Sequence, residues 1–434
     1  MSTAATSTMT SAIVGGLACQ RDSFLRQLKT SVVSSNIYTP QEKKKSKDVK
    51  YALELKDTVL FPEGGGQPYD LGTMTLSNNR VIEVESVLRD KLTALHITNE
   101  PVEPGTEVTL NLDWERRLDL MQQHTGQHLL SAVLDTYDLE TISWSMNDMI
   151  NYIELPRPVD QELIDEVNKK INNYIFDAIP IEIITPEEKH EHSANVPDDY
   201  DVSKGIIRVV KIGTLDENPC CGTHLKNTSQ IQAISLLHQT NVRGGHSRLH
   251  FICGSRVYKY LKTQHGILKE LGSELSSPMD ELVEKAQQLN VNYRKSQSRE
   301  SDLLKELANI DAKKVFKEFS ETDRKTCFVY RSDNNPQYLT LLQKELLTMI
   351  NNDKDCGVDL TNKHTIVMIN GDYTSGTGGT IKVIGPQAGP LQPELKNRIS
   401  QLKGGGKGST FQGKIPKYNK GEIESTLEYL KSID

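Results

Sequence analysis

Trp114-Glu-Arg-Arg-Leu-Asp-Leu-Met-Gln-Gln-His124-Thr-Gly-Gln-His128-Leu-Leu-Ser-Ala-Val-Leu134 is the stretch on which the reading of this chain turns. Leu118, Met121, His124-Thr125, His128-Leu129 and Ala132-Val133 recur at steps of three and four, the period of an α-helix. Upstream the period is different. Residues 52–55, 58–61, 72–76 and 107–110 are short alternating runs split by Gly, Pro and Asn, which predicts an N-terminal antiparallel β-barrel over residues 17–112.

Downstream, strand-like runs at 152–155, 181–184, 206–212, 230–237 and 248–253 surround an amphipathic segment at 160–176, predicting an α+β domain over 113–256. Leu282, Ala286, Leu289, Tyr293, Leu303, Leu307 and Ile310 are spread among charges without Pro or Gly, which predicts a helical arm over 257–322. Strands at 327–330, 365–370 and 380–384 alternate with helices at 338–351 and 393–403, so 323–434 reads as a C-terminal α/β domain. The fold class expected is therefore α+β multidomain, and 434 residues at about 150 per domain is consistent with it.

Lys and Arg number 51 against 58 Asp and Glu, a net charge of −7, so a nucleic-acid partner has to be held by local basic patches. Lys43, Lys44, Lys45, Lys47 and Lys50 form one such cluster between two predicted strands, read first as a solvated loop and second as an RNA contact. No run approaches the ~18 to 20 apolar residues of a membrane helix, so no membrane partner is expected. A Ser/Thr-rich start precedes the apolar run 12–18 with no Lys or Arg before Arg21, which is neither a secretory nor a transit signal; a cytoplasmic location is expected. Six scattered cysteines do not make a disulfide framework, and a reducing compartment turns attention to metal binding or catalysis, with four of the six read as packing residues.

His124 and His128 stand at i and i+4 on one helix face, a separation at which both reach one metal ion. Alone, such a pair is commonly packing or surface. Cys220-Cys221-Gly222-Thr223-His224 adds a thiolate and a third imidazole, and His124, His128, Cys220 and His224 together form a nitrogen and sulfur set that suits one zinc per chain. Cys220, four residues before His224, is preferred to Cys221, though the exchange stays open. Thr125 stands where an HExxH peptidase has its general-base Glu, so peptidase chemistry is not expected. In Phe61-Pro-Glu-Gly64-Gly65-Gly66-Gln67-Pro-Tyr69 three glycines let backbone approach a ligand, and Gln67 offers a neutral donor and acceptor. Such a run is commonly a turn; it bears on the chemistry only if it faces the metal.

These motifs resemble the free-standing alanyl-tRNA editing proteins, the AlaX group in its long form. The likeness is carried by PEGGGQPYD (62–70), HTGQHLLS (124–131), PCCGTHL (219–225), Arg243-Gly-Gly with Arg248-Leu-His-Phe-Ile-Cys-Gly254, and Gly404-Gly-Gly-Lys-Gly408, and spans most of residues 17–415. The last resembles the Gly-rich loop in the C-terminal domain of alanyl-tRNA synthetase, although Lys414 and Ile415 stand where that loop continues with glycine. The resemblance implies a zinc-dependent aminoacyl-tRNA deacylase acting on mischarged tRNA(Ala), chiefly seryl-tRNA(Ala) with glycyl-tRNA(Ala) second. It implies editing in trans, because the His motif at 124 leaves no room upstream for an aminoacylation core. RNA contact is then expected at Lys403, Gly404, Gly405, Gly406 and Lys407, where backbone N–H groups and two cations can meet phosphate; the other reading is a plain turn.

The bond to be cut is an activated ester, which needs a positioned water and charge stabilisation rather than a strong nucleophile. A zinc-activated water serves, and no separate catalytic side chain is assigned. Four tight protein ligands would make the metal structural, three and an open position catalytic. Telling serine from alanine asks for a polar group that rewards a hydroxyl. Thr141 and Ser143 are candidates in the neighbourhood that the resemblance indicates, with Gln67 and Thr125 next and Gly64, Gly65 and Gly66 as backbone contacts. Two other readings remain: a zinc-stabilised tRNA-binding protein without hydrolytic activity, and an unrelated metal hydrolase, which the missing Glu disfavours.

Overall fold

The computed structural model describes residues 10–39, 49–185, 205–353, 355–374 and 378–433. The chain divides into two compact units, residues 1–270 and 271–434. Of the basic cluster, Lys43, Lys44, Lys45 and Lys47 lie outside the described residues, and Lys50 pairs with Glu85.

The first unit begins with a short helix, α1 (Ala18–Arg21), and seven strands: β1 (Gln27–Tyr38), β2 (Lys50–Leu55), β3 (Gly72–Leu76), β4 (Val81–Val84), β5 (Ser86–Asp90), β6 (Thr93–Thr98) and β7 (Glu107–Leu112). They form one antiparallel sheet in the order β4-β3-β7-β1-β2-β6-β5. The long β1 pairs with β7 through residues 27–31 and with β2 through 32–38, and an irregularity between Val32 and Ser34 lets it bend between them. Edge strands β4 and β5 follow one another in the chain with only Glu85 between, and no ladder joins them among the described residues.

The expected strand at 58–61 is not one. Val59, Leu60 and Phe61 are at most 1% exposed, so the apolar run reports burial, while side chains take the backbone groups that a ladder would use. Leu60 N–H donates to Thr58 Oγ1 at 3.0 Å and Phe61 N–H to Asp70 Oδ2 at 2.7 Å, and the carbonyl of Val59 accepts from Arg117 Nη2 at 2.8 Å.

Helix α2 (Trp114–Asp135) starts at Asp113, whose carboxylate caps it by accepting from Arg116 N–H. Then come β8 (Ser143–Ser145), β9 (Asn151–Leu155), α3 (Gln161–Phe176), β10 (Ile181–Ile184), β11 (Val209–Ile212), β12 (Asp216–Pro219), β13 (Ile234–Asn241) and β14 (Ser247–Cys253), in two antiparallel sheets ordered β10-β11-β12 and β13-β14-β9-β8. The strand expected at 230–237 is displaced because Thr228–Ile231 forms a 3₁₀ turn. Leu129, Leu130 and Val133 of α2 share one core with Ile164, Val167 and Ile171 of α3 and with Ile153, Leu249 and Phe251 of the four-stranded sheet. α2 is fixed to the segments that lead into β1 and β3 by Arg117, which is fully buried, pairs with the equally buried Asp70 and donates to the carbonyl of Ser23. Helix α4 (Ser255–Leu275) follows, its Arg256 gripping both oxygens of Asp119.

The second unit holds α5 (Leu282–Glu321), β15 (Thr326–Arg331), α6 (Pro336–Asn352), β16 (Thr365–Asn370), β17 (Gly379–Ile384), α7 (Ala388–Arg398), β18 (Lys403–Gly405), β19 (Thr410–Ile415) and α8 (Glu422–Ser432). The sheet order is β15-β16-β17-β19-β18. Only β15 and β16 are parallel, joined across α6 as a parallel pair requires; the other ladders are antiparallel, so the α/β pattern expected here covers one βαβ unit. Helix α7 starts at Ala388 and contains Pro393, where the sequence suggested a start. In α5 the buried residues Ala308, Ala312, Val315 and Phe319 pack on this domain's core, while most of the helix before them is exposed. No described helix is long and apolar enough to cross a membrane.

Candidate metal centre

His124 and His128 sit one turn apart on α2, whereas Cys220 directly follows β12 and His224 lies in the loop beyond it. That loop is shaped by Arg208, which donates to the carbonyls of Cys221 and Gly222 at 2.8 Å each and to Gln20 O at 2.9 Å. At Gly222 a Cβ would come within 2.3 Å of His124 Cε1, so the loop can approach the helix only with glycine there. One ligand atom from each of His124, His128, Cys220 and His224 lies within 4.8 Å of the others, an arrangement that could hold a metal ion.

Cys220 Sγ is 3.4 Å from His124 Nε2 and 3.3 Å from His224 Nε2. Donors around a tetrahedral ion, with bonds of about 2.0 to 2.3 Å, stand roughly 3.3 to 3.7 Å apart, and both sulfur–imidazole distances fall in that range. Each imidazole spends Nδ1 elsewhere: His124 on Gln67 Oε1 at 2.8 Å, His128 on Asp216 Oδ2 at 3.4 Å, His224 on Thr125 Oγ1 at 3.4 Å. Outer hydrogen bonds of this kind fix the tautomer that leaves Nε2 free to ligate.

Burial would raise the Cys220 thiol, but the imidazoles of His124 and His224 outweigh it and hold the thiol well below its usual value, towards thiolate. Burial opposes charge on His128 too, yet Asp216 and Cys220 lift it to about 10, whereas burial pushes His224 down to about 3. Burial, with Cys220 beside it, pushes the neighbouring Cys221 up to about 12. Cys221 packs on the glycine loop instead, its Sγ 2.8 Å from where a Cβ of Gly65 would stand, and it is not part of the cluster.

The centre opens on a cavity of about 520 Å³. His124, Gln127, His128, Ser131 and Asp135, spaced along one face of α2, form one wall, and Gly65, Arg208, Cys220 and Cys221 are among the residues lining the rest. Trp144 also lines it, 5.1 Å from the His124 ring. Thr141 is a lining residue whose Oγ1 is 2.8 Å from Ser131 Oγ, and Ser131 Oγ in turn accepts from Gln127 Nε2 at 2.8 Å.

The other expected substrate contacts are placed differently. Gln67 is fully buried with Oε1 on His124 and Thr223 N–H and Nε2 on Thr223 Oγ1. Thr125 is also fully buried, bonded to His224 and Leu225 N–H. Ser143 is exposed, bonded to Glu154 at 3.4 Å, and does not line the cavity. Gly64 and Gly66 lie beside Gly65, and a Cβ on Gly66 would stand 2.6 Å from the Trp144 ring. Lys403, Gly404, Gly405, Gly406 and Lys407 are all exposed in the β18–β19 hairpin of the second unit, where a Cβ on Gly404 or Gly406 would strike the facing strand.

Asp216, Trp144, Ser131 and Gln127 were not singled out from sequence. Ser131 and Gln127 carried a signal, since both share the helix face of the two histidines; Asp216 and Trp144 carried none.

Residues 207–250 match the family described as the threonyl and alanyl tRNA synthetase second additional domain. The chain is 37% identical to a Saccharomyces cerevisiae protein named as an alanyl-tRNA editing protein of the alaX kind, over 97% of this chain and 98% of that protein. It is 32% identical to the alanyl-tRNA editing protein Aarsd1 of Mus musculus, over 94% of this chain and 97% of the other. Identity to the alanyl-tRNA editing protein AlaX-L of Pyrococcus horikoshii is 30%, over 69% of this chain and 72% of that one.

Proposed function

The chain belongs to the alanyl-tRNA editing proteins, and from that membership we propose that it is a zinc-dependent deacylase acting in trans in the cytosol on tRNA(Ala) mischarged with serine, with the glycyl ester as second substrate. The observation that carries this reading is the N₃S donor set with three of its four ligands, His124, His128 and Cys220, on the wall of a cavity that also presents hydroxyls.

Zinc in this set supplies Lewis acidity for ester hydrolysis. The protein's own residues do the rest. Gln67, Asp216 and Thr125 hold the three imidazoles in one tautomer, and Trp144 lines the cavity beside His124. The Gln127–Ser131–Thr141 chain offers hydroxyl oxygens to a seryl side chain, and these lose a partner when the substrate carries a methyl instead. Gly65 brings backbone to the cavity edge for the ester. In the second unit the exposed hairpin with Lys403 and Lys407 provides further RNA contact.

The test is single-turnover deacylation of seryl-, glycyl- and alanyl-tRNA(Ala) by the zinc-loaded protein. Fast release of serine with alanine largely spared is the expected result. Tight tRNA binding without release of either amino acid would replace this reading with that of a zinc-stabilised binding protein.

A further inference from the structure

The four-stranded sheet β13-β14-β9-β8 buries one face, through Ile153, Leu155, Leu249 and Phe251, in the core of the first unit. Strand alternation puts a different set on the opposite face. Two cross-strand rows lie there: Ser143, Glu154, Arg248 and Thr240 in register, and beside them Ser145, Tyr152 and His250 with His238 from the irregular part of β13.

These side chains form an open ring platform. The His238 and His250 rings stack at 4.3 Å and 16°, Tyr152 stands edge-on to His250 at 6.0 Å, and the Arg248 guanidinium lies 4.3 Å over the Tyr152 ring. Glu154 is the only carboxylate in the two rows, and Arg248 and His246 both bond to it, at 3.0 and 3.3 Å. The β13–β14 hairpin tip adds the exposed Arg243. Apolar side chains, which a docked protein would bury, are missing from both rows. Flat rings and a guanidinium, with Arg243 at the hairpin tip, suit nucleobases and phosphates.

The platform and the cavity lie on opposite faces of one sheet and both reach its edge strand β8. Trp144 of β8 lines the cavity, while its neighbours Ser143 and Ser145 fall on the outer face. We infer that this outer sheet face is an RNA-docking surface, on which unpaired or helix-end nucleotides stack against His238, His250 and Tyr152 as the acylated end enters over β8. The inference rests on the reading above that the partner is tRNA, and adds the surface that holds it.

The experiment measures binding of deacylated tRNA(Ala) transcript to the full-length protein across a salt series. Variants are His238→Ala with His250→Ala, and separately Arg243→Glu. Zinc content and hydrolysis of a small seryl-adenosine ester are followed alongside. The double variant should bind about 10-fold more weakly, the loss of stacked bases. Arg243→Glu should weaken binding and shrink the slope of log affinity against log salt by about one. Both should keep their zinc and their rate on the small ester. Arg243 stands on an exposed turn, so that variant keeps the test decisive if the double variant does not fold. Affinity within twofold of wild type and an unchanged salt slope would overturn the surface, even with seryl-tRNA hydrolysis intact. Weakened binding with no ester hydrolysed by the wild type would leave the surface standing and remove the deacylase reading instead.

Discussion

Oε1 of Gln67 accepts from His124 Nδ1 at 2.8 Å and from the backbone N–H of Thr223 at 3.0 Å, so one fully buried amide joins the glycine-rich loop to both ligand-bearing segments. The loop therefore faces the centre through its glutamine. Gln67→Ala should lower metal affinity about 10- to 100-fold, as loss of a ligand's outer hydrogen bond does, read by competition with a chromogenic chelator. Gln67→Glu keeps the acceptor and should recover most of it.

The two adjacent cysteines separate cleanly. Cys220→Ala should abolish stoichiometric metal after dialysis, because its sulfur is one of four donors, whereas Cys221→Ala should keep the metal. Elemental analysis decides; equal loss in both would refute the assignment.

Thr141 and Ser143 no longer stand as equals. Thr141→Val should lower seryl-tRNA(Ala) hydrolysis several-fold more than any effect on the alanyl ester, because it breaks the hydroxyl chain to Ser131. Ser143→Ala should leave the ratio unchanged, since its side chain bonds to Glu154 outside the cavity.

Arg117 and Asp70 form an ion pair without solvent exposure. Arg117→Met should cost roughly 3 to 5 kcal/mol in urea unfolding, because the buried carboxylate loses its counter-charge. The double change Arg117→Met with Asp70→Leu should restore part of that loss. Additive losses would show that the pair is not coupled.

His96 is fully buried and neutral, Nδ1–H donating to Leu53 O at 3.2 Å and Nε2 accepting from Thr58 Oγ1 at 2.7 Å. Burial pushes its pKa from 6.5 down to about 4, so on acidification the unfolded chain takes up the proton first. Stability is then full above pH 6.5 and falls as pH drops from 6.5 to 4, by roughly 3 kcal/mol from this residue. His96→Gln should flatten that part of the pH profile of unfolding; an unaltered slope would place the proton uptake elsewhere.

The sequence by itself determined the helix 114–134, the strands at 181–184 and 365–370, and a candidate metal set of His124, His128, His224 and one of two adjacent cysteines, with Cys220 preferred. Those signals are local. A 3.6-residue pitch puts His124 and His128 on one face whatever surrounds them, and the chemistry of imidazole and thiolate is carried by residue type. Tertiary structure alone decided what depends on segments far apart in the chain. It chose Cys220 over Cys221, gave each imidazole its partner in Gln67, Asp216 or Thr125, and moved Ser143 out of the cavity. It also kept 58–61 from pairing as a strand, because Thr58, Asp70 and Arg117 satisfy its backbone. Alternation and period report which side of a segment is buried; which polar group meets it across the fold is set by packing, which no single segment contains.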